Sequence, residues 1–181
     1  MKLYCLRHTR LDILPGICYG QSDIGLAGSF SEEKKDILKR LSGIEFGQIY
    51  SSPLKRCKTL AEDLFPNADL IFDGRLKELN FGDWEMKEWD EISKTTEAQT
   101  WFNDFVNIRC PNGESFADQI ERTKNFLSNL ENKKDASVLL VTHGGIIRAV
   151  NCVLNGIAPL DAFKSKVDYG ELVLFDLRKN L

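Results

Sequence analysis

The sequence predicts an α/β fold of three layers, α/β/α, with helices on both faces of a mostly parallel central sheet. Two observations carry that expectation. Residues 3–6 and 138–141 are unbroken apolar runs of strand length, the pattern of strands covered on both faces. Around them, apolar residues recur at helical spacing, so strands and helices alternate along the chain.

The elements follow in order. After the strand at 3–6, residues 32–41 carry a polar helical pattern with Ile37, Leu38 and Leu41 facing inward. A strand is expected at 48–51. Ser52-Pro53 then supplies an N-cap and a proline at the first helical position, and Leu54, Cys57, Leu60, Ala61 and Leu64 mark the buried stripe of the helix that follows. Arg56 falls in its first turn. Residues 70–72 form a further strand before Asp73-Gly74 turns the chain.

Trp84, Trp89, Trp101, Phe102 and Phe105 crowd a stretch that breaks the βα rhythm, read as two short helices in an excursion at about 84–110 over one end of the sheet. From Phe116, Ile120, Thr123, Leu127 and Leu130 mark an amphipathic helix, with Ser115 and Asp118 as a capping box in which Asp replaces Glu. A buried helix at 146–154 stops at Asn155-Gly156, and 172–177 is the last strand.

A chain of 181 residues suits one domain over 1–181. Its net charge of −3 argues against a surface built for nucleic acid. The apolar N-terminal run is too short for a signal segment, and no stretch of about 18 apolar residues exists for a membrane span. A cytoplasmic protein is expected. Five scattered cysteines show neither disulfide nor zinc spacing and read as reduced, apolar fillers.

Each histidine follows an apolar stretch that reads as a buried strand, in Leu6-Arg7-His8-Thr9-Arg10 and Val141-Thr142-His143-Gly144-Gly145. In an open parallel sheet, strand carboxyl ends converge on one crevice. With Arg7 beside His8, Arg56 at a helix start, and Gly144-Gly145 opening a helix, the crevice reads as an anion cradle. Two imidazoles without a third ligand, among arginines, speak against a metal site, and no metal or cofactor is expected.

Four segments in register, Arg7-His8, Ser51-Ser52-Pro53-Leu54-Lys55-Arg56, Glu78-Leu79-Asn80-Phe81-Gly82-Asp83-Trp84-Glu85 and Thr142-His143-Gly144-Gly145, resemble the histidine phosphatase superfamily, which includes the phosphoglycerate mutases. The resemblance implies that His8 is a nucleophile that becomes phosphohistidine, that Glu78 is the acid and base, and that Arg7, Arg56 and His143 hold the phosphoryl oxygens. Within the superfamily, Phe81 to Met86, Pro111 to Phe116 and Val167 to Gly170 resemble the α-ribazole phosphatases, which implies removal of the phosphate of α-ribazole 5′-phosphate in cobalamin nucleotide-loop assembly.

The family's residues after the nucleophile are glycine, Glu or Gln, and Thr or Ser, where this chain has Thr9, Arg10 and Leu11. Its downstream asparagine is also missing. Gly20, Gln21 and Ser22, with Arg10 and Gly144, are the expected substrate-binding residues in compensation. The expected partner is a small phosphorylated metabolite, and a homodimer is one possible assembly. The alternatives are a broad sugar-phosphate phosphatase, a phosphoglycerate mutase, or a non-catalytic domain that binds a phosphorylated ligand.

Overall fold

The computed structural model describes residues 1–130 and 137–177. Its five strands, β1 (Lys2–Arg7), β2 (Gln48–Ser51), β3 (Leu70–Phe72), β4 (Val138–Thr142) and β5 (Leu172–Asp176), form one sheet in the order β3-β2-β4-β1-β5. The first four are parallel, and β5 runs antiparallel along β1. The helices are α1 (Phe30–Leu41), α2 (Lys55–Leu64), α3 (Trp89–Ile92), α4 (Thr96–Asn103), α5 (Phe116–Leu130) and α6 (Gly144–Asn155).

Alternate residues of a strand face opposite sides of its sheet, so a strand that is apolar throughout needs a helical layer on each side. Leu3, Cys5, Val138 and Leu140 meet Phe126, Leu127 and Leu130 of α5 and Ile146 and Val150 of α6. Tyr4, Leu6, Leu139 and Val141 meet Ile37 and Leu41 of α1 and Cys57, Leu60 and Leu64 of α2. Full burial of a leucine is worth about 1.5–3 kcal/mol. The two clusters therefore hold the layers together over most of their area, and the expected three-layer α/β fold with its mostly parallel sheet is present.

Three local expectations need correction. The second helix begins at Lys55 rather than at Ser52-Pro53, because Ser52 is still tied to the sheet through its N–H to Val141 O at 2.9 Å. Leu38 is 42% exposed, since Ile37 and Leu41, one helical turn apart, take the inward face of α1. Ile120 is only partly buried, and Gln119 and Phe126 hold the inward positions on α5. Helix α6 opens at Gly144, directly after His143, as the reading of Gly144-Gly145 as a helix opening expects.

The capping box forms as read: Ser115 N–H donates to the Asp118 carboxylate at 2.9 Å, and Asp118 N–H to Ser115 Oγ at 3.2 Å. Gly156 ends α6 in the left-handed region at φ +65°. Trp84, Ile92, Ala98, Trp101 and Cys110 build a third, separate cluster under the excursion. Gly82 ties that excursion down with φ +57°, and a Cβ there would collide with Pro111 O. All five cysteines are free thiols. No helix among the described residues is long and apolar enough to cross a membrane.

Candidate active site

The register of β1 against β4 creates the site. Arg7 lies opposite Thr142, so the chain leaves both strands at the same level, and His8 N–H donates to Thr142 O at 3.0 Å. The two imidazoles consequently stand edge to face with centroids 5.2 Å apart. Strand β2, on the other side of β4, ends at Ser51 and delivers Ser52 beside His143. Helix α2 then begins close by and carries Arg56 inward, with no exposed surface.

His8 Nδ1 lies 2.7 Å from Thr9 O. A carbonyl only accepts, so the proton sits on Nδ1 and the Nε2 lone pair is free to attack. The imidazole is held well below the ordinary histidine value by burial first and then by the charge of Arg56 and Arg7, against the Thr9 carbonyl, which favours the charged form. His8 is thus a neutral nitrogen base in a cationic setting.

Arg56 organises the site. It donates from Nη2 to Gly20 O at 2.6 Å, from Nη1 to Ser22 O at 2.8 Å, and from Nε to His143 Nδ1 at 3.3 Å. A guanidinium has no acceptor, which makes His143 Nδ1 the unprotonated nitrogen. Its Nε2–H therefore donates to Ser52 Oγ at 2.8 Å. Both ring nitrogens of His143 are engaged in this arrangement, and the imidazole braces Arg56. Burial, then the charge of Arg56, holds His143 well below the usual histidine value. Cys57, fully buried 3.5 Å from His143 Nε2, has its thiol pushed up by burial and stays protonated.

Arg7 donates from Nη1 to Val167 O at 2.6 Å and lays its guanidinium 3.9 Å above the Tyr169 ring. Tyr169 in turn meets Tyr19, hydroxyl to hydroxyl at 3.1 Å. Neither tyrosine contact was visible in the sequence, where Tyr169 was one letter in a motif.

Glu78 comes from the segment after β3 and is fixed at both ends. Its Oε1 accepts from Leu79 N–H at 2.9 Å and Gln119 Nε2 at 3.0 Å, and its Oε2 accepts from Gly145 N–H at 3.2 Å. Its backbone carbonyl accepts from Arg122 Nη2 and Gln21 Nε2, each at 3.0 Å. A Cβ on Gly145 would push the Glu78 carboxylate out of this place, since it would collide with Glu78 Oε1. Gln119 and Arg122 were not anticipated; the one available signal was a glutamine within the apolar stripe of α5.

The loop at Gly20, Gln21 and Ser22 reaches the site, but its donors are engaged inside the protein. Glu85 accepts from Gln21 N–H at 2.8 Å, from Ser22 N–H at 2.7 Å and from the Ser22 hydroxyl. What the loop offers the site is the two carbonyls that hold Arg56. Gly144 sits at the start of α6 with both Arg7 and Arg148 near the position its Cβ would occupy. Arg10 is exposed, with its N–H donating to Glu33 Oε2 at 3.1 Å.

Beside Glu78 opens a cavity of about 240 Å³ lined by Phe81, Trp89, Trp101, Phe105, Phe116 and Phe163. Glu78, Gln119, Gly145 and Arg148 form its polar wall. The three tryptophans therefore divide: Trp84 is 4% exposed and belongs to the core, while Trp89 and Trp101 face the cavity.

The burial of two neutral imidazoles sets a pH dependence. Unfolded histidines take up protons below about pH 6.5, whereas His8 and His143 resist protonation in the fold. Stability is therefore complete above pH 6.5 and declines as pH falls toward the folded values. The ion-paired Asp73 and Asp118 carboxylates are held below their ordinary range and add their losses only at lower pH. The thermal midpoint is expected to drop between pH 6.5 and 5, and inorganic phosphate, an anion that favours imidazolium, to shrink the drop. A midpoint constant over that window contradicts the assignment.

The sequence profile of the histidine phosphatase superfamily (branch 1) matches residues 3–180. A Salmonella arizonae protein named "Probable phosphoglycerate mutase GpmB" is 32% identical over 170 residues, covering 84% of this chain and 77% of its own. The crystal structure of the α-ribazole phosphatase from Shigella flexneri is similar with a TM-score of 0.89 at 23% identity, over 97% of this chain and 90% of that one. A phosphoserine phosphatase from Entamoeba histolytica, in complex with 3-phosphoglyceric acid, gives 0.84 at 23% identity, over 98% and 91%. At 23% identity these two structures speak for the fold alone.

Proposed function

Because the chain belongs to the histidine phosphatase superfamily (branch 1), we propose that it hydrolyses phosphomonoesters through a phosphohistidine on His8, with α-ribazole 5′-phosphate as the favoured substrate. The observation that carries the reading is the free Nε2 of His8, set in a cluster of guanidinium groups with its Nδ1 proton tied to Thr9 O.

In the first step His8 Nε2 attacks phosphorus, the N–P bond forms, the ester P–O bond breaks, and Glu78 gives its proton to the leaving oxygen. In the second step water attacks phosphorus, Glu78 takes its proton, and the N–P bond breaks to release phosphate and neutral His8. Arg7 and the two free N–H donors of Arg56 meet the equatorial oxygens, where charge stabilisation lowers the barrier to phosphoryl transfer. His143 acts through Arg56.

The aromatic cavity supports the choice of substrate. It adjoins Glu78, hence the ester oxygen, and its rings offer edge and face contacts to a flat apolar group such as dimethylbenzimidazole. A phosphate-release screen over nucleotides and sugar phosphates, with chelator present, tests both parts of the reading. α-Ribazole 5′-phosphate is expected to rank first, and Trp89→Leu to raise its KM on the order of tenfold while leaving that of p-nitrophenyl phosphate within about twofold. Equal effects on both substrates reduce Trp89 to packing, and a bisphosphate requirement for turnover selects a mutase instead.

A further inference from the structure

One charge on the cavity wall has no counter-charge in contact with it among the described residues. Arg148 stands one helical turn after Gly144 on α6, so both lie on the same face. Its Nη1 lies 3.0 Å from the point a Gly144 Cβ would occupy, and Arg7 Nε lies 3.5 Å from the same point. The two guanidinium groups therefore flank one glycine. Arg7, however, holds to the His8 side, whereas Arg148 lines the aromatic cavity together with Glu78.

The bonding of Arg148 is incomplete. Its guanidinium lies 5.0 Å from the Phe163 ring centroid, an aromatic contact that orients it without accepting a hydrogen bond. Its Nε is buried with no acceptor, and Nη2 reaches only Ser165 O, at 3.4 Å. Among the described residues no carboxylate forms an ion pair with it, and burial disfavours its charge more than the nearby Glu78 and Glu171 restore it. Desolvating a cation without a counter-charge or a full set of acceptors is costly. Nε is shut off from the cavity as it is from water, so the donors left for an oxygen that enters the cavity are those of Nη1, which has no acceptor among the described residues, and the second N–H of Nη2.

We infer that Arg148 is a specificity residue for the leaving group, donating to oxygens that the ester carries between its phosphoryl group and its ring. The inference rests on the phosphomonoesterase reading above. Glu78, which in that reading protonates the ester oxygen, shares the polar wall of the cavity with Arg148, so the leaving group comes within reach of Arg148 as its ring enters the aromatic lining. The substrate class this selects is a phosphomonoester whose ring is separated from the ester by an oxygenated spacer such as a pentose, in preference to one with the ring attached directly.

The test compares α-ribazole 5′-phosphate and a panel of nucleoside 5′-monophosphates with phenyl phosphate, which has the ring and lacks the spacer. Between the parent and Arg148→Met, kcat/KM for the best pentose ester is expected to fall on the order of tenfold further than that for phenyl phosphate. The difference should lie mainly in KM, and Arg148→Lys should recover part of it. Equal losses on both substrates, or a parent that turns over phenyl phosphate and no pentose ester, overturn this inference alone. A parent inert toward every ester overturns the phosphomonoesterase reading and this inference with it.

Discussion

His8→Ala is expected to lower kcat/KM for every phosphomonoester by at least roughly 10⁴-fold. The other imidazole, His143, is bound at both nitrogens, and the Cys57 thiol is kept protonated by burial. The loss should appear with the fold intact, because the imidazole is a desolvated polar group whose one polar contact is with the neighbouring Thr9 carbonyl. Its removal leaves the two hydrophobic clusters of the sheet untouched. The direct measurement is rapid-quench turnover of phosphorus-labelled substrate. The parent should carry label on the protein that survives an alkaline quench and is lost in acid, the lability of a phosphoramidate, and His8→Ala should carry none. A variant that keeps a hundredth or more of the parent rate, or a parent that never labels, would exclude the covalent route.

The sequence showed the site's poles and not its fittings. His8 and His143 could be brought together in advance because each follows a fully apolar strand, and the pairing of Arg7 with Thr142 then aligns those two strand ends. The layers were legible for the same reason: residues 3–6 and 138–141 need cover on both faces, whatever supplies it. Ser52 was misread because serine before proline is also a helix-start signature, and only the hydrogen bond to Val141 shows that the sheet holds it instead. Gln21 and Ser22 were expected to face a ligand; Glu85, about 60 residues away in the chain, holds their donors. Arg122 and Arg148 are indistinguishable in sequence from solvated positions on amphipathic helices, and Gln119 differs only in falling within the apolar stripe of α5. Their roles depend on which helix faces lie against Glu78, a tertiary fact that helical periodicity does not carry.

Glu78→Gln is the second large effect, and its signature depends on the leaving group. Alkyl phosphates need a proton on a strongly basic oxygen as the ester bond breaks, so their turnover should fall by roughly 10²–10⁴-fold. p-Nitrophenolate leaves without a proton, and the first step with that ester should be nearly unimpaired. The second step still requires a base for the attacking water. Phosphohistidine should therefore accumulate, with a burst of about one p-nitrophenolate per enzyme followed by a slow steady rate. Part of the loss has a geometric origin that can be separated. Gln119 can turn its amide to suit the new side chain, but the backbone N–H groups of Leu79 and Gly145, which donate to Oε1 and Oε2 in turn, are fixed, so one of them faces the amide NH₂ or forces the side chain to rotate. Gln119→Leu, which keeps the carboxylate and removes one of its donors, should cost much less than Glu78→Gln and give no burst. A burst-free Glu78→Gln enzyme that hydrolyses alkyl phosphates at the parent rate would assign the proton transfers to another group, and Glu78 would be left with the role of tying Gly145 to the segment after β3.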